Sequence, residues 1–204
     1  MIETVLWDAD GVLQRVPNGW EESMRPAVAG RVDDVDAFLA EASREERPAL
    51  TGEVRWLDVL PGLLERWGIA DSFDTLVGIW LSIEEVPGTR DVVRSLRSAG
   101  IRCCLATNQD VRRATYMRTE MGYDDLLDDV FVSCDLGVAK PDPAYFTTIL
   151  DRLDAPADRV LFVDDNAKNV DAARAVGLAA EVWSSDLGLA ELESTLRGHG
   201  LPLT

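Results

Sequence analysis

The chain has 204 residues, of which 47% are hydrophobic, and its 20 Lys and Arg against 37 Asp and Glu give a net charge of −17. A folded core is therefore expected, and nucleic-acid binding is not, because no basic stripe is present to replace the counterions of a phosphate backbone. The sequence contains no apolar run of 18 residues, so no membrane span is predicted. The acidic start MIETVLWDAD lacks the basic region of a signal peptide, so we expect a cytoplasmic location.

Cysteine and histidine usage narrows the possible chemistry. Cys103, Cys104 and Cys134 lack C-x-x-C spacing, which favours reduced thiols over a disulfide framework or a zinc site. The single histidine, His199, lies near the C-terminus. Catalysis by a Ser–His or Cys–His pair is not expected, because it would have to use this residue.

The first predicted element is a short strand within residues 5–13, VLWDADGVL. Its apolar run ends in Asp8 and Asp10, and Gly11 follows at once. By itself a D-x-D-G sequence after a strand is more often a turn than a catalytic site, because Asp and Gly are turn formers. The remaining elements must decide between these two interpretations.

Residues 14–87 show helical spacing and no convincing strand, which predicts a helical module inserted directly after the first strand. Its four helical stretches are residues 18–30, 32–46, 54–68 and 71–83. Four of the six tryptophans lie here and are expected to form the core of a small bundle: Trp20, Trp56, Trp67 and Trp80. Trp20 and Trp56 occupy loop-like or helix-start positions, so lining a pocket is the alternative for these two.

From residue 88 onward, predicted helices and strands alternate. Helices are expected at 88–100, 110–122, 142–153, 167–177 and 186–198, and strands at 101–107, 129–133, 159–165 and 179–183. Short strands separated by helices, several of which end at glycine, indicate βαβ units and a parallel sheet covered on both faces. The fold class is therefore α/β, with a helical insertion.

Polar residues recur where the predicted strands end or in the loops that follow. They are Asp8 and Asp10, Thr107 and Asn108, Lys140, Asp164 and Asp165, with Asn169 a helical turn later. Ligands of an open parallel sheet bind at the carboxyl ends of its strands, where these residues would meet. Crowded carboxylates require a compensating cation, and Mg²⁺ accepts carboxylate, water and phosphate oxygens. Charge balance then indicates a phosphate site.

The motifs DADGV, ATN, KPDP and VDDNAKN resemble the four motifs of the haloacid dehalogenase-like hydrolase superfamily. The resemblance implies a Rossmann-like, doubly wound core made of residues 1–13 and 88–204, and a helical C1-type cap made of residues 14–87. The second half is similar to small sugar-phosphate phosphatases and to the phosphatase domain of epoxide hydrolases. Ala9, Gln14 and Arg15 depart from the residues usual at their positions in the family.

The resemblance also implies a role for each residue of the two aspartate motifs. Asp8 would be the nucleophile and a metal ligand. Asp10 would act as general acid and base through its side chain and would reach the metal through its backbone carbonyl. Asp165 would be the second carboxylate ligand, and Asp164 would support the site through hydrogen bonds or water.

The remaining motif residues would hold the phosphoryl group. Lys140 would bridge Asp8 and the phosphoryl oxygens, and Thr107 and the backbone of Asn108 would bind those oxygens. Asn169 is expected to brace the loop rather than contact substrate. Without the other motifs, Thr107 and Asn108 would be interpreted as a helix cap and Lys140 as a solvated loop lysine.

We therefore expect a Mg²⁺-dependent phosphomonoesterase that acts on a small phosphorylated metabolite through an aspartyl-phosphate intermediate. Three alternatives remain: a 2-haloacid dehalogenase, which Asp10 argues against, a phosphomutase, and a binding protein without catalysis. Arg15, Arg55 and Trp56 are candidates for leaving-group contacts. The pattern leaves open the substrate and the choice between a monomer and a homodimer.

Overall fold

A computed structural model of the chain describes residues 1–203. Its centre is a five-stranded parallel sheet in the order β5–β4–β1–β6–β7. The strands are β1 (Thr4–Trp7), β4 (Arg102–Thr107), β5 (Asp129–Val132), β6 (Val160–Asp164) and β7 (Ala179–Val182). β1 lies in the middle, with Val5 opposite both Cys103 and Leu161.

Successive residues of each strand face opposite sides of the sheet, and each side has its own apolar core. Val5 and Trp7 belong to one core, whereas Leu6 of the same strand belongs to the other, with Phe146 and Phe162. Both faces are therefore covered, which confirms the predicted α/β, doubly wound class.

The helices that cover the sheet follow the predicted alternation. They are α5 (Thr89–Ser98), α6 (Val111–Thr119), α7 (Tyr123–Leu126), α8 (Ser133–Leu136), α9 (Pro143–Leu153), α10 (Ala167–Ala175) and α11 (Leu189–Gly198), with 3₁₀ turns at Ala157–Arg159 and Ser185–Leu187. The one-turn helices α7 and α8 are absent from the sequence-based prediction, because four residues are too few to show a helical period.

Side-chain caps begin the helices that follow the sheet's carboxyl edge. Asp110 accepts from the backbone N–H of Arg112 at 2.7 Å at the start of α6, and Asn166 accepts from that of Lys168 at 3.0 Å at the start of α10. These caps satisfy backbone donors that a helix start leaves free. They also determine where the chain turns at the ends of β4 and β6.

The helical insertion comprises α1 (Trp20–Val28), α2 (Val35–Leu50), α3 (Trp56–Arg66) and α4 (Phe73–Trp80), with a 3₁₀ turn at Ala70–Ser72. Its apolar faces form a third core around Phe38, Leu63 and Trp56. None of the helices within residues 1–203 is both long and apolar enough to cross a membrane.

Two short strands border the insertion, where the sequence predicted none. β2 (Gln14–Arg15) pairs antiparallel with β3 (Glu84–Glu85), so the chain leaves and re-enters the sheet domain side by side. A two-residue strand shows no alternating pattern, so the ladder is decided by the meeting of distant segments.

Candidate active site

A cleft of about 870 Å³ lies between the carboxyl edge of the sheet and the helical insertion. The sheet side contributes the predicted residues Asp8, Asp10, Thr107, Asn108, Lys140, Asp165 and Asn169. The structure therefore brings together residues that are up to 161 positions apart in the chain, from Asp8 to Asn169. Asp164 lies directly beneath, fully buried at the end of β6.

Lys140 neutralises two of the buried carboxylates. Its Nζ lies 2.7 Å from Asp8 Oδ1, 2.7 Å from Asp164 Oδ2 and 2.8 Å from the Ala106 carbonyl oxygen. These contacts use all three ammonium protons, so no donor remains for the phosphoryl oxygens that Lys140 was expected to bind. Its side chain is 1% exposed, which rules out a solvated loop lysine.

The other oxygen of Asp8 accepts no hydrogen bond from residues 1–203. Burial raises the pKa of Asp8 above its ordinary value, and nearby Asp164 adds to this effect, while Lys140 opposes it. Burial alone would lower the pKa of Lys140, but its two carboxylate partners outweigh burial and raise it. A charged pair with one free carboxylate oxygen therefore faces the cleft.

Asp10 is held by three side chains for which the sequence analysis predicted no role. Arg113 donates to both carboxylate oxygens, at 2.8 and 2.9 Å, and Gln109 and Gln14 donate to one each, at 2.7 and 3.0 Å. Burial would raise the pKa of Asp10, but Arg113 and the amide donors lower it below its ordinary value. Arg113 lies in the first turn of α6, five residues after the ATN motif, and no local pattern distinguishes it from other helix arginines.

Asp164 and Asp165 are adjacent but have different environments. Both Asp164 oxygens accept from Asn169 Nδ2, at 3.0 and 3.1 Å, and Oδ1 also accepts from the Asn166 N–H. The Asp165 carboxylate accepts no side-chain hydrogen bond in the described part of the chain, and burial together with Asp164 raises its pKa to about 6. Asn169 thus braces Asp164, and Asp165 is free to bind a ligand.

Gly11 makes room for the Asp165 carboxylate. A Cβ at Gly11 would collide with this carboxylate, and the backbone φ of +81° is itself unfavourable for a side chain. The two chain segments that follow β1 and β6 therefore approach closely at this point.

The free oxygens fit a hard divalent cation. Oxygens of Asp8, Asp164 and Asp165 lie within 4.8 Å of one another, but those of Asp164 are already used by Lys140 and Asn169. Asp8 and Asp165 remain, and the backbone carbonyl of Asp10 accepts no hydrogen bond within residues 1–203. Two carboxylates and a carbonyl, with space for water, match the donors that Mg²⁺ prefers.

The ATN motif does not cap a helix, because Asp110 caps α6 instead. The Thr107 hydroxyl is buried, and Gln109 Nε2 lies 3.3 Å from it. The Asn108 side chain is paired with the backbone of Lys140, donating to its carbonyl at 2.8 Å and accepting from its N–H at 2.9 Å. Asn108 thus positions the lysine loop.

The helical insertion contributes Trp20, Glu46, Leu50 and Trp80 to the cleft, and Arg15 lies at its rim. Trp56 is instead buried in the insertion's core, where its backbone N–H donates to Asp110 Oδ2 at 3.1 Å. Of the three residues suggested for leaving-group contacts, Arg15 is among those that line the cleft, whereas Arg55 and Trp56 are not. Trp80, expected only as a core residue, lines both the core and the cleft.

A family model for haloacid dehalogenase-like hydrolases matches residues 2–177. The chain belongs to this family of hydrolases. The matched range of this haloacid dehalogenase-like chain runs from the start of the sheet domain through the helical insertion to the end of α10.

Three curated relatives of this haloacid dehalogenase-like chain are phosphatases by name. A sesquiterpene phosphatase of Aspergillus oryzae is 36% identical over 43% of this chain and 44% of its own length. A phosphoglycolate phosphatase of Rhodospirillum rubrum is 34% identical over 48% of this chain and 41% of its own length. The chain therefore spans less than half of these two proteins. A phosphorylated carbohydrates phosphatase of Thermotoga maritima is 24% identical over 87% of this chain and 82% of its own length.

Solved structures of haloacid dehalogenase-like proteins share the whole fold. A predicted hydrolase of this family from Porphyromonas gingivalis superposes with a TM-score of 0.80 over 97% of this chain and 98% of its own, at 22% identity. A family enzyme from Bacteroides thetaiotaomicron, solved with magnesium and inorganic phosphate, gives a TM-score of 0.74 over 94% of this chain and 99% of its own, at 17% identity.

Proposed function

We propose that the chain is a Mg²⁺-dependent phosphomonoesterase that hydrolyses a small phosphorylated molecule through an aspartyl-phosphate on Asp8. The observation that carries this proposal is the environment of Asp8. One carboxylate oxygen is held by Lys140, and the other faces the cleft beside the free carboxylate of Asp165. A carboxylate fixed and partly neutralised in this way can attack phosphorus.

The reaction has two steps on this chain. Asp8 Oδ2 forms a bond to phosphorus while the bond from phosphorus to the leaving oxygen breaks. Asp10, two residues along the chain, protonates that oxygen and then accepts a proton from a water molecule. The oxygen of this water forms a bond to phosphorus while the bond from Asp8 to phosphorus breaks, and inorganic phosphate leaves. Arg113 keeps the Asp10 carboxylate in position.

Asp8, Asp165 and the Asp10 carbonyl would hold the metal. Bound there, Mg²⁺ would supply positive charge that offsets the carboxylates and the phosphoryl oxygens. The Thr107 hydroxyl and the Asn108 backbone would bind the remaining phosphoryl oxygens. Lys140 would keep Asp8 oriented through its contacts with Asp164 and Ala106.

The comparisons support this function at the level of reaction class. The curated relatives are named as phosphatases, and one structural neighbour binds magnesium and phosphate. The binding partner that follows is a phosphorylated small molecule.

The experiment measures the rate of p-nitrophenyl phosphate hydrolysis by the wild type with Mg²⁺, by the wild type with EDTA, and by the variant Asp8→Asn with Mg²⁺. This substitution keeps the shape of the side chain but removes the nucleophilic charge, so turnover should fall to background while the melting temperature changes little. Asp158→Asn is the matched control, because exposed Asp158 precedes β6 at the opposite edge of the sheet. Release of halide from a 2-haloacid, without phosphatase activity, would contradict the proposal.

A further inference from the structure

One acidic side chain of the helical insertion faces the proposed reaction centre. Glu46 lies on α2 and lines the cleft together with Trp20 and Trp80. Its Oε1 accepts from the Trp80 indole N–H at 3.1 Å, which holds the carboxylate in one orientation. Its Oε2 accepts no hydrogen bond from the described residues, so an acceptor remains for a ligand.

Three charged residues act electrostatically on the Glu46 carboxylate. Arg113 attracts its carboxylate, whereas Asp110 and Asp10 repel it. Arg113 donates two hydrogen bonds to Asp10, and within residues 1–203 it forms no ion pair with Glu46. Burial raises the pKa of Glu46 to about 7, so above that pH its carboxylate presents negative charge to whatever occupies the space next to the phosphoryl group.

The cations that line the cleft within residues 1–203 already have carboxylate partners. Lys140 contacts Asp8 and Asp164 at 2.7 Å each, and Arg113 contacts Asp10. Arg15 lies at the rim, 3.9 Å from Glu84, with about half of its side chain exposed (49%). The structure provides no buried, unpaired cation for a second anionic group on the substrate.

The apolar space behind Glu46 is closed. A crevice between Trp20, Trp80 and the core of the insertion has a volume of only about 10 Å³. That is hardly room for one water molecule, so a long hydrocarbon leaving group does not fit there. The available space is the cleft itself, which both polar and apolar side chains line.

We propose that Glu46 selects the leaving group of the phosphate ester: it accepts a hydrogen bond from a hydroxyl or ammonium group and repels a carboxylate. This inference rests on the proposed phosphatase function and deepens it, by assigning the substrate class as phosphate esters of polyols or amino alcohols. A charged acceptor beside the leaving group favours donors over anions, because an anion there leaves a desolvated charge unpaired.

The test compares three unactivated esters: glycerol phosphate with a neutral diol, phosphoethanolamine with an ammonium, and 2-phosphoglycolate with a carboxylate. In assays at about pH 8.5, where Glu46 is ionised, we expect the wild type to show a kcat/KM for the first two that exceeds that for 2-phosphoglycolate by about 10²-fold. Glu46→Gln keeps an acceptor for Trp80 but removes the charge. The ratio of the kcat/KM for phosphoethanolamine to the kcat/KM for 2-phosphoglycolate should then fall at least about tenfold.

Glu41→Gln is the matched control. Glu41 lies on the same helix and accepts an indole N–H in the same manner, from Trp67 at 3.0 Å, but it does not line the cleft. This variant should keep the wild-type ratios and the wild-type rate with p-nitrophenyl phosphate.

The outcomes separate the two proposals. If p-nitrophenyl phosphate is hydrolysed but 2-phosphoglycolate is preferred, or if Glu46→Gln leaves the ratio unchanged, the role of Glu46 is wrong and the phosphatase function stands. If no ester is hydrolysed in the presence of Mg²⁺, the phosphatase function fails, and the role of Glu46 fails with it.

Discussion

Asp8 and Asp10 are two residues apart, yet they have different partners. Asp8 is bound by Lys140 and lies beside Asp164, while Asp10 is bound by Arg113 and two glutamines. Burial and Asp164 raise the pKa of Asp8, whereas Arg113 lowers that of Asp10 despite its burial. The two carboxylates therefore differ both in their partners and in the direction of their pKa shifts, although they are only two residues apart.

Asp10→Ala should separate these roles. Asp8 can still attack, but no group protonates the leaving oxygen, so hydrolysis of glycerol phosphate should slow by about 10²–10⁴-fold. The first step with p-nitrophenyl phosphate should be affected less, because its leaving group needs little protonation. Burst and steady-state kinetics with both esters measure the rate of each step in the wild type and in Asp10→Ala. A wild-type rate with glycerol phosphate would show that Asp10 is misassigned.

Glu46 should make stability depend on pH. Burial raises its pKa from 4.5 to about 7, against the attraction of Arg113 and the hydrogen bond from Trp80, and Asp110 and Asp10 add to the rise. Between these two values the folded protein holds a proton that the unfolded chain has released. The contribution of Glu46 to stability therefore falls as the pH rises from about 5 to 8.

Glu46→Gln removes this titration. Its melting temperature relative to wild type should rise across that pH range and stay level at higher pH. Thermal unfolding in buffers of equal ionic strength measures the difference. Glu41→Gln is the control, because the Trp67 hydrogen bond lowers the pKa of Glu41 and the variant should gain nothing as the pH rises. A pH-independent difference for Glu46→Gln would contradict the assignment.

At the level of the elements, the turn after α2 is a point where the insertion packs against the sheet domain. Gly52 has a φ of +76°, and a Cβ there would lie 2.5 Å from the Cys134 carbonyl oxygen on α8. Gly68, in the turn after α3, has a similar φ of +69° but nothing within 4 Å. The two glycines share the backbone constraint and differ only in this contact.

Gly52→Ala should therefore destabilise the protein more than Gly68→Ala. Both variants incur the backbone cost of about 1 kcal/mol, and only Gly52→Ala must also push the insertion away from α8. We expect a further loss of about 1–3 kcal/mol for Gly52→Ala. Urea unfolding of both variants measures the difference. Equal losses would show that α2 and α8 separate without cost.

At the scale of the whole molecule, the proposed metal site joins two segments that are far apart in the sequence. Asp8 and Asp165 lie 157 residues apart in sequence, so the unfolded chain holds no such site. Binding only to the folded state stabilises it by about 1.4 kcal/mol at ten times the dissociation constant. For a chain of this size this corresponds to a rise in melting temperature of about 3–6 °C.

Asp165→Ala should lose the Mg²⁺-induced rise in melting temperature. Without Mg²⁺ this variant should melt no lower than wild type, because one of the mutually repelling carboxylates is gone. Asp158→Ala removes the same charge at the far end of β6 and should keep the rise. Melting curves against Mg²⁺ at constant ionic strength measure both, so that general screening cancels. A rise of wild-type size in Asp165→Ala would exclude Asp165 as a ligand.

The sequence by itself determined the longer elements and the edge of the sheet at which the cleft lies, but not the two-residue strands or the one-turn helices. Apolar runs and glycine-terminated helical patterns were sufficient for the parallel sheet and for the four long helices of the insertion. The carboxyl ends of parallel strands share one edge, so Asp8, Lys140 and Asp165 could be placed together without knowing the strand order.

Only the tertiary structure decided how the charges pair. Arg113 and Glu46 are ordinary residues of amphipathic helices in the sequence, and they reach the cleft because of how α6 and α2 dock. The contact of Lys140 with Asp8 was expected from the sequence, but its contacts with Asp164 and the Ala106 carbonyl were not. Periodicity reports which face of an element is buried. The partner of a charged side chain depends on distances between elements, which no local pattern contains.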